Sequence, residues 1–129
     1  MASLFTKIIE GEIPCHKLAE DERFFSFLDI NPINKGHALV IPKKENDYFF
    51  DLDDDLLSGI MVFARPIATA IEQVVPCERV GLIVAGLEVP HAHVHLVPFD
   101  AIGQLTFENA RAADMGELAA LAEQIRSHL

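Results

Sequence analysis

His91-Ala92-His93-Val94-His95-Leu96-Val97-Pro98 is the stretch on which both the fold and the chemistry turn. It holds three histidines, each separated from the next by an apolar residue. Extended backbone sends successive side chains to opposite faces, so the three imidazoles share one side. Ala92, Val94 and Leu96 then enter a core on the other, and the pattern predicts a shallow imidazole surface backed by a packed sheet. A neutral imidazole is a competent nucleophile, and a neighbouring ring can supply a hydrogen bond or a proton. The attacking nitrogen requires the opposite nitrogen to keep its proton, which a carbonyl acceptor enforces. Two other uses of the pattern stay open: a zinc or copper site with His37 as a further ligand, and a polar strand face without chemistry.

Working outward, Arg79 to Ala85 and His93 to Val97 read as strands joined by the loop around Gly86 to Pro90. Further upstream, His16 to Glu20 and Arg23 to Asp29 read as two strands around Glu20-Asp21-Glu22. Aromatic residues dominate Phe24-Phe25-Ser26-Phe27-Leu28, which favours a strand. Asn31-Pro32-Ile33-Asn34-Lys35-Gly36 is a loop, and His37 to Ile41 is a strand closed by Pro42. Leu4 to Glu10 has the spacing of a short helix ended by Gly11 and Pro14. Leu56, Ile60, Phe63, Ile67 and Ile71 mark one face of a long helix reaching about Val75. Its start carries Asp51, Asp53, Asp54 and Asp55, which suit the positive end of a helix dipole. Pro66 lies inside and predicts a kink or a division into two. Glu117 to Leu129 reads as a terminal helix. Strands, helix, strands, helix in that order indicate an α+β domain with an antiparallel sheet.

The 129 residues fit a single domain, 1–129, with a core over about 4–98 and a helical tail over about 114–129. Half of the chain is hydrophobic, with nine Phe, one Tyr and no Trp, so aliphatic residues and phenylalanine must build the interior. The net charge of -10 argues against a nucleic-acid polymer as partner, because such binding draws on clustered basic residues. It leaves a mononucleotide or dinucleotide open. No signal peptide is expected at the amino end, and no apolar run approaches the ~20 residues needed to span a bilayer. Cys15 and Cys77 form no CxxC pair and read as free thiols of a cytoplasmic protein.

The histidine stretch resembles the HxHxH motif of the histidine-triad family. The likeness extends to Phe27-Leu28-Asp29-Ile30-Asn31-Pro32, to Gly36 through Lys44, and to Lys7 through Pro14, in family order and spacing. The resemblance implies a five-stranded antiparallel sheet with two main helices, and a two-fold homodimer whose sheets join across the interface. It implies a phosphoramidase or hydrolase acting at the α-phosphorus of a nucleoside phosphoramidate or dinucleoside polyphosphate through a covalent nucleotidyl-histidine. His93 matches the nucleophile. His95 matches the residue that contacts the phosphate and helps the leaving group, the proton passing through its region. His91 matches the residue whose carbonyl holds the nucleophile's tautomer, and His37 the supporting histidine. Asp29 matches the carboxylate on the ribose hydroxyls, and Ile30 an apolar contact to the base.

The departures are specific. Many family members hold a structural zinc with two cysteines, a histidine and the first triad histidine; here the first three positions are Ser3, Thr6 and Glu45. The chain therefore reads as a zinc-free member without metal or cofactor, its amino-terminal turn held by apolar packing. The customary Gly-Gln is Gly86-Leu87, and Glu88 stands three before His91, where a neutral polar residue is usual. An inward-pointing Glu88 would repel a phosphate. These changes motivate the alternative of a non-catalytic dimeric nucleotide-binding or interaction module.

Overall fold

The computed structural model describes residues 2–129. Five strands form one antiparallel sheet in the order β1-β2-β3-β5-β4: β1 (Lys17–Glu20), β2 (Phe24–Leu28), β3 (Ala38–Pro42), β4 (Arg79–Ile83) and β5 (Val94–Phe99). The first three follow one another as meander neighbours, and β5 then pairs with β3. Its partner β4 is left on the edge. Gly36 makes the turn into β3 with φ +92, a backbone conformation that glycine adopts freely. Val75, Pro98 and Ile71 lie 3.0, 3.1 and 3.3 Å from where its Cβ would be.

The sheet has two different faces. Leu18, Phe24, Val40, Val94 and Leu96 point toward the helices α2 (Asp54–Val74) and α3 (Met115–Arg126) and form the larger core. α2 opens on Asp53, whose side chain accepts from the Leu56 amide, with Asp54 and Asp55 in the first turn. Its buried face is Leu56, Ile60, Ala64, Ile67, Ala70 and Ile71, which includes four of the five positions expected from the apolar spacing, while Phe63 is partly buried at its edge. Pro66 does not divide the helix, which runs unbroken from Asp54 to Val74. Both Pro66 and Val62, the residue whose carbonyl loses its partner there, are exposed, so water can satisfy that carbonyl.

On the opposite face, Phe25, Phe27, Leu39 and Ile41 pack with Phe5 and Ile8 of the short helix α1 (Leu4–Ile9). The pairing of β3 with β5 sets Leu39 opposite His95 and Val40 opposite Val94. Register therefore fixes which face receives the imidazoles. β5 begins at Val94, so His91, Ala92 and His93 lead into the strand rather than lying within it.

After β5 the chain makes two 3-10 turns, Ile102–Gln104 and Phe107–Asn109, before α3. The amides of Arg111 and Ala113 donate to the carbonyls of Pro32 and Ile30 at 3.2 and 3.1 Å. Those bonds hold the tail against the loop between β2 and β3.

Candidate active site

The expected imidazole surface is an interior. His91, His93 and His95 are 0, 1 and 2 % exposed, and His37 is 1 % exposed. α1 covers two of them, its Phe5 ring standing edge-on to His91 at 5.8 Å and to His93 at 5.0 Å. The rings of His93 and His95 meet edge to face at 4.8 Å, so these imidazoles do share one side of the sheet.

Backbone groups fix the tautomers of His37, His91 and His93, and His37 in turn fixes that of His95. The Ile33 amide donates to His37 Nδ1 at 2.9 Å, so the proton of the neutral ring sits on Nε2. That Nε2–H faces His95 Nδ1 at 2.9 Å and donates to it. The remaining proton of His95 must then be on Nε2, a buried atom with no hydrogen-bond partner among the described residues. Burial pushes His37 down to about 4 and His95 to about 3, the latter helped by its imidazole neighbours. Both rings are therefore neutral near pH 7. In His93 the Nδ1–H donates to the His91 carbonyl at 2.7 Å, which leaves the Nε2 lone pair free. His91 donates from Nε2 to the Pro42 carbonyl at 2.7 Å and accepts from Ser3 Oγ at its Nδ1, 2.8 Å away. The result is one free imidazole lone pair beside one unpaired N–H.

His93 and His95 line a cleft of about 230 Å³ whose apolar wall includes Leu4, Ile8, Ile13, Phe27 and Leu39. Asp29, Ile30 and Glu88 sit on the same cleft, while His37 and His91 lie behind it as supports. Asp29 accepts from the Asn31 amide at 2.8 Å, the turn-capping bond open to an Asp in this position, and its other oxygen is 3.6 Å from His37 Nε2. Burial chiefly, and then the nearby Glu88, raise its carboxyl above the usual range. A larger groove of about 710 Å³ separates the 32–36 loop from α3. Volume alone would favour it, but neither His93 nor His95 opens onto it.

Three features were not legible beforehand. Phe107, in the tail, stands edge-on to His95 at 4.9 Å and helps to enclose it. Glu88 points inward, with a carboxylate oxygen within 4.8 Å of a ring nitrogen of His93 and of His95, whereas Leu87 is 94 % exposed. Finally, the positions that resemble a zinc site carry a hydrogen-bonded cage. Glu45 Oε1 accepts from the Ser3 amide at 2.6 Å and from Thr6 Oγ1 at 2.7 Å, and Ser3 Oγ bonds His91. Two hydroxyls and a carboxylate occupied in this way do not fit structural zinc, which favours thiolate and imidazole. Apolar packing alone does not hold the amino-terminal turn, because polar bonds tie it to the triad.

Asp29 with His37 and His95, and Glu88 with His93 and His95, are compact enough to suggest a metal. The tautomers oppose it. His95 presents a proton at Nε2, and reversing the chain would set a His37 Nδ1–H against the Ile33 amide proton.

Residues 10–102 match the family model described as the HIT domain. A protein of Schizosaccharomyces pombe named adenosine 5'-monophosphoramidase is 40 % identical over 76 % of this chain and 74 % of its own. One of the same name from Saccharomyces cerevisiae is 35 % identical over 99 % of this chain and 83 % of its own. The crystal structure of a HIT-like protein from Bartonella henselae superposes with a TM-score of 0.86 at 29 % identity, covering 98 % of this chain and 96 % of that one. With the sheet, the paired imidazoles and these matches in agreement, the chain belongs to the histidine-triad (HIT) family.

Proposed function

We propose that this protein is a nucleotide hydrolase that acts at the α-phosphorus of a nucleoside phosphoramidate, with His93 as nucleophile. The carrying observation is the His93 ring held by the His91 carbonyl, its Nε2 lone pair free beside the unpaired Nε2–H of His95. His93 Nε2 forms a bond to phosphorus as the bond to the leaving group breaks. Water then attacks the nucleotidyl-His93, releasing a nucleoside monophosphate and the free imidazole. His95 donates its Nε2–H to a phosphoryl oxygen, where negative charge grows. His37 and His91 are positioning residues, acting through His95 and His93. Asp29 takes the ribose hydroxyls and Ile30, half-exposed at the cleft mouth, packs on the base.

The two relatives named as adenosine 5'-monophosphoramidases favour an amine leaving group over the phosphate of a dinucleoside polyphosphate. In this reading the protein is a cytoplasmic homodimer that joins sheets across subunits; among the described residues no helix is long and apolar enough to cross a membrane. The test is release of AMP from adenosine 5'-phosphoramidate by the wild type and by His93→Ala. Turnover by the wild type alone is expected. Equal turnover by both refutes the nucleophile, and nucleotide binding without turnover or adduct supports the non-catalytic module.

A further inference from the structure

The hydrogen bonds that make His95 a donor also make it a poor source of protons. If His95 gave up its Nε2 proton, the only replacement would come from His37 Nε2, and His37 Nδ1 already faces the Ile33 amide. The relay ends there, and passing a proton outward would leave an imidazolate. An amine leaving from phosphorus nevertheless needs a proton, because an amide anion is too basic to depart. Some other group on the cleft must supply it.

Among the described residues the cleft lining contains no Lys or Arg, and its titratable groups besides the two histidines are Cys15, Asp29 and Glu88. Cys15 lies among the apolar residues, and burial raises its thiol, which leaves it a weak acid. Asp29 is engaged by the Asn31 amide and faces His37. Glu88 is exposed to solvent and reaches within 4.8 Å of ring nitrogens of His93 and His95, and among the described residues its carboxylate makes no hydrogen bond or ion pair. We propose that Glu88 is the acid-base catalyst of the reaction, a reading that rests on the His93 mechanism above and selects amine over phosphate leaving groups.

In the first half the Glu88 carboxylic acid gives its proton to the leaving nitrogen. The phosphorus–nitrogen bond breaks toward nitrogen, a neutral amine departs, and His93 Nε2 becomes bonded to phosphorus. In the second half water attacks phosphorus, and the Glu88 carboxylate takes one of its protons. The bond to His93 breaks toward its nitrogen, which restores the imidazole lone pair and leaves Glu88 protonated for the next cycle. A phosphate leaving group departs as a stable anion and needs no such proton, so the Glu88 acid favours the amine alone.

The experiment compares wild type and Glu88→Gln on two substrates under single-turnover conditions. One is an adenosine 5'-phosphoramidate bearing an alkylamine; the other is adenosine 5'-(p-nitrophenyl phosphate), whose leaving group departs unprotonated. The p-nitrophenol burst reports the first half only. The expected loss in Glu88→Gln is on the order of a hundredfold on the alkylamide. On the aryl ester the burst should lose at least about tenfold less than that. Equal losses on both substrates, or undiminished cleavage of the alkylamide, overturn the proposal while a nucleotidyl-His93 still forms. If the wild type forms no His93 adduct from either substrate, the nucleophilic mechanism itself fails and the role of Glu88 falls with it. Circular dichroism of the variant checks that this exposed position leaves the fold intact.

Discussion

Lowering the pH from 7.5 to 5 should destabilise this protein through two buried rings. In the unfolded chain His37 and His95 take up protons near 6.5; in the fold they resist until about 4 and about 3. Between those values the unfolded state binds more protons, so stability falls as pH falls. At pH 5 an unfolded imidazole is almost fully protonated and each folded one is still neutral. The linkage integral from pH 7.5 then amounts to about 2 kcal/mol per ring, or about 4 kcal/mol for the pair. His91, lowered chiefly by burial, adds in the same direction. Asp29 acts in the opposite sense, because its folded carboxyl takes up a proton before the unfolded one does. Against a domain stability of roughly 5–15 kcal/mol, the expected loss is large. Urea unfolding followed by circular dichroism at the two pH values measures it. In His37→Gln the difference should fall to about half, since one ring is gone. A wild-type difference under about 1 kcal/mol would refute the claim that both rings are buried and neutral.

Two further outcomes concern what encloses the triad. Phe107→Ala removes a ring contact worth about 0.5–1.5 kcal/mol and admits water to His95. The pKa of that imidazole, followed by NMR, should rise from about 3 toward its ordinary value; an unchanged titration would show that the tail does not shield the ring. Ser3→Ala removes the N-cap of α1, which accepts from the Thr6 amide, together with the bond to His91. A loss of about 1 kcal/mol or more is expected, with faster amide exchange confined first to α1. Exchange in α1 as slow as in the wild type would show that the apolar contacts of Phe5 and Ile8 suffice.

The antiparallel strands, the buried stripe of α2 and the shared face of the three histidines were all legible in the sequence. Each rests on a period of two or between three and four residues, which local backbone geometry converts directly into a face. The family likeness followed from the same motifs. Only the tertiary structure decided what surrounds them. Ile33 and Pro42 meet the imidazoles through backbone groups, which no side-chain pattern encodes, and these bonds set the tautomers. Ser3 reaches His91 across 88 positions, and Glu45 reaches Ser3 across 42. Phe107 arrives at His95 because the tail folds back along the 30–32 loop. Glu88 and Leu87 are neighbours in the chain, yet one turns into the cleft and the other into solvent. Pro66, a helix breaker by local rule, stays in an unbroken helix because the residues around it bury their apolar face in the core. Periodicity assigns a residue to a face, whereas its partners depend on where distant segments cross that face, and that is settled only when the chain packs.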